Sequence, residues 1–106
     1  MTCWFWTPDL MDASRFGAGW RRMPGAKSPD PTALGALGAG DVVALDLGRL
    51  ADPDSIPEMA GRVVAFLPHV ESERAAAGRA RGWEIHPRSR FFGSVLSQLS
   101  PPAQDP

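Results

Sequence analysis

The sequence predicts an α/β fold, a parallel sheet of about five strands covered by helices on both faces. Three observations carry this reading. Short apolar runs rich in β-branched or aromatic residues recur at 3–7, 41–47, 62–67 and 83–86. Helix-forming stretches with capping residues alternate with them. The two clearest runs, "DVVALDL" and "RVVAFL", are apolar on both faces, as a central parallel strand must be. A chain of 106 residues makes one small domain, assigned to residues 1–99.

The first strand is "CWFWT", 3–7, ended by Pro8. Its alternation places Trp4 and Trp6 on one face and Cys3, Phe5 and Thr7 on the other. Asp9 is a good N-cap for a helix from Leu10 to about Arg22, with Asp12 in its favourable first turn. Gly17 and Gly19 weaken that helix. A very short second strand is expected at Ala26–Ser28. Asp30-Pro31 then opens an Ala/Leu helix to Leu37, which Gly38 and Gly40 end.

The third strand is 41–47. "ADPDSIPEMAG" allows one helical turn or two, because Pro57 permits only a restart. The fourth strand, 62–67, ends at Pro68. "HVESERAAAGRARGW" has Glu early and Arg late, matching the helix dipole, and Gly82 marks its stop. The fifth strand is "WEIH", 83–86. A last helix, 89–99, takes Ser89 as cap and aligns Phe92, Val95, Leu96 and Leu99 on one side. Residues 100–106 read as a disordered polar tail. Five strand–helix units with right-handed crossovers favour the flavodoxin-like order 2-1-3-4-5, with shortened early elements. The ligand crevice of that order lies at the carboxyl ends of strands 1 and 3.

Charge and composition exclude some functions. The net charge of −1 gives no general attraction to nucleic acid. Residues 1–61 carry a net −3 and residues 62–92 a net +3, an asymmetry that suits a protein partner. The single cysteine, Cys3, rules out an internal disulfide and reads as an ordinary buried thiol. The start lacks a basic n-region, and no apolar run reaches the roughly 18–20 residues of a membrane span, so a cytoplasmic protein without membrane contact is expected. "GALGAG" lacks the Lys-Ser/Thr ending of a phosphate loop and precedes a strand instead of a helix.

Asp46, near the end of the buried third strand, admits two readings. It is a carboxylate placed for chemistry at the crevice, or it is part of an acidic rim where strands reach solvent. His69 and His86 follow the ends of neighbouring strands and, with Asp46, would be candidate metal ligands; loop histidines are the simpler account. "GRARGWEIHPRSRFF" gathers Arg79, Arg81, Trp83, Arg88, Arg90 and Phe91, residue types that anchor interfaces. A solvated arginine-rich face is the competing reading. No recognition helix or RNA-binding signature accompanies it, so nucleic acid is not the expected partner.

"PTALGALGAGDVVALDL" followed by "GRVVAFLPHVESERAAAGRARGWEIHPRSRFF" resembles a response-regulator receiver domain across roughly residues 30–99. "WTPDLMD" resembles its first strand and acidic pair more weakly. The resemblance implies that Asp46 falls on the phosphoacceptor position and Asp9 on one of two Mg²⁺-holding acids. Pro8 stands at the other acid and Leu67 at the switch hydroxyl. Arg88 aligns with the charge-neutralising lysine across a one-residue gap, and Ser89 with the proline after it. Mg²⁺ wants one or two carboxylates, which Asp9 and Asp46 supply. An arginine fork does not reproduce a lysine point charge. The implied reading is a pseudo-receiver without enzymatic activity or required cofactor, acting through a protein partner or as a homodimer by its 79–92 face. A phosphoacceptor using Asp46 with Mg²⁺ is the first alternative. A small enzyme or ligand binder using the crevice is the second.

Overall fold

The computed structural model describes residues 2–23, 31–49 and 53–99. Five parallel strands form one sheet in the order β2-β1-β3-β4-β5, the flavodoxin-like order expected. They are β1 (Cys3–Trp6), β2 (Trp20–Arg22), β3 (Val42–Asp46), β4 (Arg62–Leu67) and β5 (Glu84–Pro87). Every residue of β3 is buried, and so is every residue of β4 after Arg62. Register sets Trp6 beside Leu45 and Asp46 beside Phe66, so the carboxyl ends of β1, β3 and β4 finish together.

The two faces of the sheet hold different cores. One is mainly aliphatic, with Leu34, Leu37, Val43, Leu45, Leu47, Ile56, Val63 and Leu67 packed around Trp6. The other is aromatic. Phe5 stacks on Phe16 at 4.5 Å and Phe66 stacks on Phe91 at 4.6 Å. Phe92 meets Phe66, Phe91 and Phe16 edge-on, the geometry that ring quadrupoles favour.

Several helices differ from expectation. The helix capped by Asp9, α1 (Leu10–Ala13), ends well before Arg22. Gly19, at φ +93°, turns the chain directly into β2. Phe16 and Trp20 then cover, with rings, the sheet surface a longer helix would have covered. The second strand is therefore Trp20–Arg22; residues 26–28 lie outside the described residues, as does the tail. The Ala/Leu stretch winds as a 3₁₀ helix, Pro31–Ala36. That winding eclipses positions i and i+3, and the buried Leu34 and Leu37 are three apart.

The next helix, α2 (Glu73–Ala80), is capped by Ser72, whose Oγ accepts the N–H of Ala75 at 3.3 Å. Gly82, at φ +83°, lets the chain reverse into β5. The C-terminal helix begins at Arg88, after Pro87 and without a side-chain cap, so Ser89 lies in its first turn. A π turn, Phe91–Val95, interrupts it before Leu96–Gln98. The extra residue in that turn lets the adjacent Phe91 and Phe92 both reach the aromatic core. Among the described residues, no helix is long and apolar enough to cross a membrane.

Candidate functional site

The carboxyl ends of β1 and β3 carry three carboxylates. Asp46 closes β3 and is 2% exposed. Asp12 lies on the inner side of α1 and is 1% exposed. Asp9, at the cap of α1, is partly exposed. A fully buried charge is stable only when paired and hydrogen-bonded. Here the pairing comes from Arg49, which the 3₁₀ turn Leu47–Arg49 places three residues beyond Asp46.

Arg49 touches all three acids. Its Nη1 donates to Asp46 Oδ2 and to Asp12 Oδ2, each at 2.9 Å, and its Nη2 lies 2.8 Å from Asp9 Oδ2. Thr7 Oγ1 donates to the same oxygen of Asp46 at 2.6 Å. Arg88 approaches from the C-terminal helix and grips Asp12 with two nitrogens, Nε on Oδ2 and Nη2 on Oδ1. Three carboxylates and two guanidiniums leave the cluster at a formal charge of −1.

The electrostatics follow from these contacts. The hydrogen bond to Asp46, and then the nearby Asp46 and Asp9 charges, raise the Arg49 guanidinium above its ordinary pKa, so its charge is permanent. The N–H of Asp12, followed by that of Met11 and the Arg49 charge, holds the Asp9 carboxyl below its ordinary value.

A cleft of about 250 Å³ opens beside this cluster, lined by Asp46, Gly48, Arg49, Pro68 and Arg88. A Cβ on Gly48 would sit 2.9 Å from Pro68 Cδ, so the close approach of these two loops needs glycine. The volume falls below the roughly 300–1,000 Å³ of sites for drug-sized ligands. Mg²⁺ would bind oxygens at about 2.0–2.1 Å in an octahedron. Arg49 already holds Oδ2 of all three acids, so an ion seeking those oxygens would compete with the guanidinium.

The structure places Asp9 and Asp46 on Arg49 and Arg88 on Asp12, with Asp46 and Arg88 lining one cleft. Asp12 and Arg49 were missed as members. Their signals were present but local: Asp9 and Asp12 share a side of one helical turn, and Arg49 follows Asp46 at i+3. Leu67 is buried and offers the cleft no hydroxyl. His86 lies within β5 opposite Phe66, and His69 is exposed beyond β4. Among the described residues, no three histidine, cysteine or acidic side chains are grouped to hold a metal. Cys3 is buried, and burial pushes its thiol pKa up.

Within the 79–92 face, Phe91 is fully buried in the aromatic core and Trp83 is 8% exposed, so both rings face the core instead of solvent. Trp83 packs where Gly78 has no side chain, and Arg81 lies over its ring at 4.8 Å while donating to the Pro57 carbonyl at 2.9 Å. Arg88 is engaged with Asp12. Of the six, Arg79 and Arg90 are exposed and Arg81 and Arg88 are partly buried. A smaller hollow of about 140 Å³ lies at the opposite end of β4 and β5, beside Arg62, Trp83 and Glu84. It contains none of the strand-end acids.

Comparison with known proteins returned no matching family model, no matching curated protein and no matching solved structure.

Proposed function

We propose that the chain is a receiver-like domain whose acidic crevice is held shut by its own arginines, a non-enzymatic module acting through protein contact. The observation that carries this reading is the contact of one guanidinium, Arg49, with Asp9, Asp12 and Asp46 at 2.8–2.9 Å. Phosphoryl transfer to a carboxylate needs a cation that neutralises the developing charge and leaves room for the incoming oxygen. Arg49 supplies the positive charge but no open coordination position, and it already engages Oδ2 of Asp46.

A second reading, in which Asp46 accepts a phosphoryl group, rests on Asp46 lining the cleft beside Arg88. It requires Arg49 to swing out and a divalent ion to enter. The two readings separate when amide NMR shifts are followed through titration with Mg²⁺ and beryllofluoride. The closed-crevice reading expects no saturable shifts around Asp46 in the wild-type protein. Saturable shifts that vanish in Asp46→Ala would establish the phosphoacceptor instead.

A further inference from the structure

Among the described residues, the aromatic layer is bordered by cations that form no ion pair. Residues 13–23 and 88–99 contain five arginines and no aspartate or glutamate. Arg88 is engaged with Asp12. Arg15, Arg21, Arg22 and Arg90 are exposed, and none forms an ion pair among the described residues. We propose that the border formed by Arg15, Arg21 and Arg22 docks an acidic segment of a partner protein. This deepens the interaction-module reading and rests on it.

Geometry favours a prepared surface over three loose side chains. Arg15 lies over the Phe92 ring at 4.2 Å, and Arg22 lies over Phe5 at 5.8 Å. Phe16 bridges these rings, 5.9 Å from Phe92 and 4.5 Å from Phe5. A guanidinium resting on a ring keeps its N–H edge free for a carboxylate and has less freedom to lose on binding. Arg21 and Arg22 are neighbours in β2, so they project from opposite faces of the sheet. The sheet ends at β2, which makes this border basic above and below. An extended acidic segment running along it would find a cation on either side.

The same details disfavour nucleic acid. Single strands bind by stacking bases on open rings. Here Phe5 and Phe16 are buried and Phe92 lies beneath Arg15. Groove reading uses a projecting helix, and α1, which leads into Arg15, has four residues.

The test is fluorescence anisotropy of a labelled Asp/Glu-rich peptide against the full chain. The expected result is saturable binding that weakens with salt and falls roughly tenfold or more in the triple variant Arg15→Gln/Arg21→Gln/Arg22→Gln. An unchanged melting curve for that variant shows that the fold survives, and single Arg21→Gln and Arg22→Gln variants with partial losses serve if it does not. Arg79→Gln, on α2, should bind like wild type. Absence of saturable binding at low salt would overturn the proposal. So would equal loss in Arg79→Gln, or tighter binding of an oligothymidylate than of the peptide. Each of these outcomes leaves the closed crevice untouched, because that is read from Mg²⁺ and beryllofluoride.

Discussion

Arginine meets carboxylate at both ends of the central strands, in opposite settings. At the carboxyl end of β3, Arg49 faces Asp12 and Asp46, whose side chains are 1% and 2% exposed. At the amino ends of β4 and β5, Arg62 forks onto Glu84, and the two side chains are 53% and 42% exposed. The chemistry of the pairs is the same and the burial is not. In solvent, water replaces a lost partner, and exposed pairs contribute about 0.2–1 kcal/mol. Arg49 is 39% exposed but Asp12 and Asp46 are buried, and leaving a buried charge without its partner costs about 3–5 kcal/mol. The first assembly is therefore a constraint on what the crevice can bind, and the second is a surface clasp between neighbouring strands.

The comparison is sharpened most by Arg49→Ala. It leaves buried Asp46 without its ion-pair partner and Asp12 with Arg88 alone, and equilibrium urea unfolding should show a loss of about 3–5 kcal/mol. Thr7→Val removes the buried hydroxyl that donates to Asp46 while keeping the shape. A hydrogen bond to a charged group contributes about 1.5–3 kcal/mol, and the same unfolding measurement should register a loss of that size. Arg62→Ala should cost no more than about 1 kcal/mol, and less at high salt. A loss at Arg62 equal to that at Arg49 would erase the distinction.

The smallest effect is a pH dependence. The hydrogen bond from Arg62, and then its charge, hold the Glu84 carboxyl below its ordinary value of 4.5. The folded state therefore binds this proton less readily than the unfolded state. The stabilisation is complete above pH 4.5 and is lost as pH falls through the lowered folded value. Subtracting the stability profile of Glu84→Gln from that of wild type should show this small acid loss, and a flat difference would remove the pair from the account.

What was legible in the sequence follows physical range. The runs "DVVALDL" and "RVVAFL" declare their burial within a few residues, so the strand order and the strand-end position of Asp46 were readable. β2 was not, because a three-residue run with two arginines carries little strand signal, and Trp20–Arg22 is positioned by Phe16 and β1. The crevice was half readable. Asp9, Asp46 and Arg88 stood out by position, but Arg49 becomes significant only when folding brings Asp9 and Asp12, nearly forty residues earlier in the chain, against it. By residue type alone, Phe91 and Trp83 read as interface anchors. Residue type cannot say which side of a turn an aromatic ring takes, and the π turn and Gly78 turned both inward.

The central claim is that Arg49 occupies the position a divalent cation would otherwise take. Thermal unfolding of wild type and Arg49→Ala, with and without millimolar Mg²⁺, tests it most directly. The account predicts that Mg²⁺ leaves the wild-type midpoint unchanged and raises the lowered midpoint of Arg49→Ala, because the vacated carboxylates then bind the ion in the folded state alone. A wild-type midpoint that rises with Mg²⁺ as much as that of the variant would contradict it.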